Sequence, residues 1–255
     1  MPVDKSAIGF NFAMLSSLGR VRSGNEDFCA ALPENGVFVV CDGMGGAAAG
    51  EVASELAATT FLDHLNAVLP LPEVTESLLD AAVQMANSVV FQRSRRSPNL
   101  RGMGTTLVAL VLPQQEQEWE RELWLAHVGD SRCYRLRGGE LIQLTQDHSL
   151  VQEQVMAGQL TPEQAERSPM RNIITRAIGS AARVMAEIRR LDPQPGDLYL
   201  LASDGLTREL PDETVAMYLS EHRSDLEATC RSLIDAANEA GGHDNITVLL
   251  LQINS

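Results

Sequence analysis

Two apolar runs in this chain stop at the same pair of residues. Phe38-Val39-Val40-Cys41 ends at Asp42-Gly43, and Leu198-Tyr199-Leu200-Leu201-Ala202-Ser203 ends at Asp204-Gly205. Runs of this length and composition read as strands. A third run, LWLAHVG, leads into Asp130, and Asp244 precedes a fourth, NITVLLLQI. In antiparallel neighbours the start of one strand lies beside the end of the next. Asp244 is therefore expected on one sheet rim with Asp42, Asp130 and Asp204. Carboxylates gathered on a rim repel and cannot all stay ionised unless positive charge joins them. A divalent cation meets that need. The glycines after Asp42 and Asp204 let backbone approach closely, so that a main-chain carbonyl can also act as a ligand.

The rest of the chain reads as an α+β protein. Its 255 residues are 44% hydrophobic, enough for a sizeable buried core. Strand signals cover 7–16, 27–32, 37–41, 105–112, 123–128, 131–137, 140–145, 184–190, 198–203 and 246–253. Helical periodicity marks 46–69, 75–93, 212–221 and a stripe of Leu226, Cys230, Leu233, Ile234 and Ala237 that stops at Gly241-Gly242. Strands cluster and helices cluster, and many strands are apolar on both faces. That pattern predicts two largely antiparallel sheets with helices packed outside them. The polar stretch 113–122 is expected to be a hairpin loop, and no linker divides the chain, so 1–255 reads as one domain. The segment 148–179 sits between two strands with short helical pieces of its own, the length of a functional flap.

Composition removes many chemistries. The formal net charge of −14 repels nucleic acid and acidic membranes as general partners. Lys5 is the only lysine, which excludes a P-loop and the strand lysine of a protein kinase. No cysteine has the arginine six residues on that a cysteine phosphatase needs, and no GxSxG elbow occurs. Cys29, Cys41, Cys133 and Cys230 stand singly and read as buried thiols. The five histidines are scattered without metal spacing; His127 lies in a strand and reads as core. No apolar run reaches membrane-span length, and the first residues lack a signal-peptide pattern, which predicts the cytoplasm.

Arg22-Ser23-Gly24-Asn25-Glu26-Asp27 adds two acids and an arginine in one polar loop. Oxygen ligands favour a hard ion, Mg²⁺ or Mn²⁺. Two such ions sharing a carboxylate can hold and acidify a bridging water, and an arginine fork suits two phosphate oxygens. Without a nucleophilic cysteine or serine, the set points to direct attack of water on phosphorus.

Eight segments together resemble the PP2C (PPM) family of metal-dependent protein serine/threonine phosphatases, in its compact bacterial form. They are RSGNED (22–27), VVCDGMGG (39–46), GMGTTLVA (102–109), AHVGDSRCYR (126–135), LTQDHS (144–149), RNIITRAIG (171–179), LLASDGL (200–206) and GGHDNITV (241–248). They span nearly the whole chain in order. The resemblance implies a four-layer α-β-β-α sandwich and two core Mn²⁺ or Mg²⁺ ions with a weaker third. It implies that Asp42, Asp204 and Asp244 hold the first ion. Asp42, the Gly43 carbonyl and Glu26, directly or through water, would hold the second, and Asp130 with Asp204 the third. Asp27 would hold metal-bound water, Arg22 the substrate phosphate, and Asn245 would orient the last ligand. Catalytic weight falls on Arg22, Asp27, Asp42 and Asp204. Met44 stands where some members have a histidine proposed as general acid, so protonation of the leaving group falls to water or another group. Ser168 stands where many bacterial members have a histidine.

The implied activity is hydrolysis of phosphoserine and phosphothreonine by a metal-bridging hydroxide, opposing a cognate serine/threonine kinase, in a monomer. Two other readings stay open: a partner-switching phosphatase for one small phosphoprotein, and a catalytically weak metal-binding scaffold.

Overall fold

The computed structural model describes residues 9–45, 49–68, 74–113, 122–221 and 225–254. Lys5, Gly46, His222 and most of the 113–122 loop lie outside them. Eleven described strands form two sheets, and every pairing between them is antiparallel. In chain order they are β1 (Phe10–Ser17), β2 (Asp27–Leu32), β3 (Val37–Met44), β4 (Gly104–Thr105), β5 (Leu107–Val111), β6 (Leu123–Val128), β7 (Arg132–Arg137), β8 (Glu140–Gln143), β9 (Glu187–Leu191), β10 (Leu198–Ala202) and β11 (Ile246–Ile253). One sheet has the order β1-β11-β10-β7-β8; the other runs β2-β3-β5-β6-β9, with β4 beside the end of β3.

The described residues form seven α-helices: α1 (Ala49–Val68), α2 (Glu76–Arg96), α3 (Leu150–Met156), α4 (Pro162–Glu166), α5 (Asp204–Thr207), α6 (Asp212–Glu221) and α7 (Leu226–Ala240). Three apolar layers result. Ala53, Ala57, Phe61 and Leu65 of α1 pack with Ala82, Ala86 and Val90 of α2 on Val37, Val39 and Leu107. Phe38, Val40, Leu125, Tyr199, Leu249 and Leu251 fill the space between the sheets. Leu200, Val248 and Leu250 meet Val215 of α6 and Leu233 of α7. Successive residues of β3 and β10 thus enter different apolar layers, which is why these strands read as continuous apolar runs. The expected four-layer sandwich is the observed one.

Local chemistry sets the boundaries. Thr75, Ser149 and Asp225 cap α2, α3 and α7 by accepting the N–H three residues on. Arg93, Arg95 and Arg96 complement the carboxyl end of α2. Gly138 and Gly139 both have positive φ, +58° and +88°, and join β7 to β8 as a tight hairpin.

Three expectations need adjustment. The run 105–112 breaks at Thr106, whose N–H donates to the Asp42 carbonyl (2.9 Å) and whose hydroxyl accepts the Asp42 N–H (2.9 Å). The strand expected over 184–190 starts only at Glu187, because Val184 is engaged by Gln84 of α2. The strand expected over 198–203 stops at Ala202, and Asp204 opens α5.

The segment after β8 is held at both ends. His148 N–H donates to the Gly129 carbonyl, Thr175 N–H to the His148 carbonyl, and Ile178 and Thr105 exchange bonds in both directions. Between these ties, α3 ends at Gly158 (φ +69°) and α4 opens with a reciprocal Thr161–Gln164 cap.

Candidate active site

The two Asp-Gly pairs lie at the same end of the sandwich on different sheets. Asp42 belongs to β3; Asp204 follows β10 in the other sheet. The single rim expected from strand order therefore holds for Asp204 and Asp244, which flank the paired strands β10 and β11, and fails for Asp42. Asp130 sits in the turn where the chain crosses from β6 to β7, between the sheets. The glycines answer to packing. A Cβ at Gly43 would collide with the carbonyls of Gly50 and Glu26, and one at Gly205 with the carbonyl of Asn245. Each Asp-Gly is thus a place where backbone meets backbone.

Burial and crowding work against charge here. Asp42 is pushed well above the usual carboxylate range, first by burial and then by Asp27, Asp204, Asp130 and Asp244. Asp27, its partner across β2–β3, is raised to about 7 by burial, although hydrogen bonds from Ser203 and Thr247 oppose this. Ser203 Oγ donates to Asp27 Oδ2 (2.7 Å) and accepts the Thr247 N–H (2.9 Å), a link between the sheets. Asp130 is raised to about 7 by burial and Asp204, with Arg208 opposing. Asp204 is raised by burial, again against Arg208.

Glu26 points at the start of α1. Its carboxylate accepts the Gly50 N–H, and its backbone carbonyl accepts from Gly43 N–H (3.0 Å) and Ser54 Oγ (2.6 Å). Burial raises its pKa, with Arg22 and the Gly50 N–H opposing. Arg22, 47% exposed, donates from Nη2 to Asp244 Oδ2 at 2.8 Å. Asn245 ties the loop to β11. Its Oδ1 accepts the Glu26 N–H (2.8 Å), and its Nδ2 donates to the carbonyls of Leu18 and Gly24 (3.0 Å each). Its N–H donates to Asp244 Oδ1 (2.8 Å).

All the acids named from the sequence meet at this end of the molecule, and one unforeseen residue joins them. Arg208 pairs with Asp204 Oδ2 and lies 3.6 Å from Asp130 Oδ2 and 3.8 Å from Asp244 Oδ2. The signal in the sequence was the i,i+4 spacing from Asp204. It was hidden because no helix was read at Asp204. Ser203 and Thr106 were also missed; their small hydroxyls carry no pattern of their own.

The residues fit a hard cation. Asp130 Oδ1 and Asp204 Oδ1 are buried and have no hydrogen-bond partner among the described residues, a costly state for carboxylate oxygens unless an ion takes them. A second cluster fits less well. His127, His148 and Glu187 bring three donor atoms within 4.8 Å. His148 Nδ1, however, already accepts the Gly129 N–H (3.1 Å), so in the neutral ring Nε2 carries the proton, and Arg176 stands 3.3 Å from it. His127 is fully buried in β6 against the His148 ring, as its place in a strand suggested. His243, beside Asp244, pairs instead with Glu209 (2.7 Å).

Comparison with known proteins places this geometry in context. The Protein phosphatase 2C family model matches residues 20–246. The serine/threonine protein phosphatase PstP of Mycobacterium tuberculosis is 39% identical over 244 residues, covering 95% of this chain and 45% of that protein. The chain thus spans about half the length of PstP. The serine/threonine phosphatase stp of Listeria monocytogenes is 38% identical over 240 residues, 92% of each chain. Among solved structures, the catalytic domain of PstP in complex with two manganese ions matches with a TM-score of 0.82 and 37% identity, over 96% of this chain and 99% of that one.

Proposed function

This chain belongs to the protein phosphatase 2C family, and from that membership we propose that it hydrolyses phosphoserine and phosphothreonine on proteins. One observation carries the reading: Asp42, Asp130, Asp204 and Asp244, from four distant segments and both sheets, converge with two buried oxygens that have no hydrogen-bond partner among the described residues. When bound, Mn²⁺ or Mg²⁺ ions supply positive charge for the phosphoryl oxygens and an acidified water for displacement at phosphorus.

The chain's own residues then divide the work. Asp42, Asp204 and Asp244 would hold the first ion. Asp42, the Gly43 carbonyl and, directly or through water, Glu26 would hold the second, and Asp130 with Asp204 a weaker third. Asp27, fixed by Ser203, orients water beside Asp42. Arg22 leaves Asp244 to bind two oxygens of the phosphoryl group; its exposure gives it the freedom to do so. Asn245 holds Asp244 by its backbone N–H and holds Glu26 by its side chain.

In this reading residues 1–255 act as one phosphatase domain, and 148–179 is a flap beside the site. The protein is a monomer that works in the cytoplasm against a cognate serine/threonine kinase. Among the described residues no helix is long and apolar enough to cross a membrane. The partner-switching and scaffold readings are not favoured, since the matched relatives are named as serine/threonine phosphatases.

The test is hydrolysis of p-nitrophenyl phosphate and of phosphoserine and phosphothreonine peptides with Mn²⁺. Activity is expected, stopped by EDTA and abolished by Asp204→Ala in a folded protein. Full activity of Asp204→Ala would refute the assignment.

A further inference from the structure

We infer that Arg208 is a resident cation of the Asp130–Asp204 pair and competes with a third divalent ion for it. The inference rests on the phosphatase reading above. Arg208 lies directly after α5, one helical turn from Asp204, so its side chain returns along the helix toward the start of that turn. Its Nη2 pairs with Asp204 Oδ2 and stands 3.6 Å from Asp130 Oδ2, while Nη1 stands 3.8 Å from Asp244 Oδ2. The two longer distances exceed hydrogen-bond reach but keep strong attraction in a buried setting. Its side chain is 27% exposed, and the residue as a whole lies at the surface.

Its coverage is one-sided. Arg208 faces the Oδ2 atoms of Asp130 and Asp204, while the Oδ1 atom of each is buried and unpaired among the described residues. One positive charge thus serves three carboxylates and leaves those two Oδ1 atoms to another partner. Competition is uneven across the sites. The first proposed core ion shares Asp204 and Asp244 with Arg208 but also draws on Asp42, and the second draws on Asp42 and Glu26; neither Asp42 nor Glu26 has an ion pair with Arg208. A third ion would depend on Asp130 and Asp204, the two acids nearest Nη2. Arg208 therefore weakens that ion most, and it keeps the acids compensated when fewer ions are bound.

The experiment counts Mn²⁺ on the whole protein by isothermal titration calorimetry and by electron paramagnetic resonance. Two tighter sites and one weak site are expected for the wild type. Arg208→Met should tighten the weak site by about tenfold or more, leaving the other two within about threefold. Arg208→Lys, which keeps the charge, should leave the weak site near its wild-type strength. In Arg208→Met/Asp130→Ala the gain should vanish. If Arg208→Met melts abnormally, Arg208→Gln carries the same expectation. An unchanged weak site in Arg208→Met, with Asp130→Ala removing that site, overturns this inference alone. Equal tightening by Met and Lys overturns it as well, since charge would not be the cause. If Asp130→Ala leaves all three ions bound, the assignment of Asp130 falls, and the inference with it.

Discussion

Gly50→Ala separates the chemistry of the site from the stability of the fold. Gly50 is the second residue of α1, and its φ lies outside the left-handed region, so alanine suits its backbone. Helix propensity favours alanine by up to about 1 kcal/mol. At that end of the helix, however, a Cβ would sit 2.7 Å from the Glu26 carboxyl carbon and 2.9 Å from each carboxylate oxygen. Ordinary contact begins at 3.4 Å, so the carboxylate must retreat by about 0.5–0.7 Å or rotate away. Glu26 ends in a flexible side chain, which makes the retreat cheap for the fold. It is not cheap for the metal contact proposed for Glu26, since a misplacement near 1 Å can cost about a hundredfold in rate. The expected result is kcat/KM lower by about ten- to a hundredfold on p-nitrophenyl phosphate with Mn²⁺. Tm should be unchanged or up to about 4 °C higher, at about 2–4 °C per kcal/mol for a chain of this size. Gly24→Ala is the control, because nothing lies within 4 Å of its Cβ position. Wild-type kcat/KM in Gly50→Ala would refute the placement of Glu26 in the site.

Other outcomes follow from the same geometry. Arg22→Ala should chiefly raise KM, since in its proposed role the arginine would bind phosphate in ground and transition states alike; an unchanged KM would remove that role. The metal-free protein should melt higher at pH 5.5 than at pH 8. Asp27 and Asp130 have folded pKa values of about 7, above the usual unfolded range, so the native state takes up protons as pH falls through 7 and gains stability. A metal-free Tm that falls over this range would count against the crowding of these acids. His148→Phe keeps a ring against His127 and loses the acceptor for the Gly129 N–H, whereas His148→Asn offers an oxygen acceptor instead. Phe should lower activity through the Gly129–Asp130 turn and Asn should retain more of it; equal activities would show that the acceptor does not matter.

The sequence revealed what depends on local pattern. Continuous apolar runs gave β3 and β10, because residues buried in two apolar layers leave no polar alternation. The stripe of Leu226, Cys230, Leu233, Ile234 and Ala237 gave the buried face of α7. The acids at strand ends were legible for the same reason, since a strand that stops at a carboxylate announces itself. What escaped was relational. Which sheet a strand joins is set by partners far away in the chain, so Asp42 and Asp204 were assigned to a common rim when they face each other from different sheets. Arg208 escaped because DGLT reads locally as a turn, and only its placement above β11, with Gly205 against Asn245, makes it helical. Thr106 looked like one more strand residue; its hydroxyl serves the Asp42 N–H, which interrupts the ladder just where the site begins.

The order β1-β11-β10 places the last strand in chain order between the first and the tenth. While a ribosome is still making residues near 240, β1 and β10 have been synthesised but lack the strand that both pair with, and Asp244 has yet to be added. The nascent chain cannot close its sheet or complete its acidic cluster until β11 emerges. The site therefore arrives late and all at once, so that an interrupted translation product lacking this strand would lack the activity proposed above.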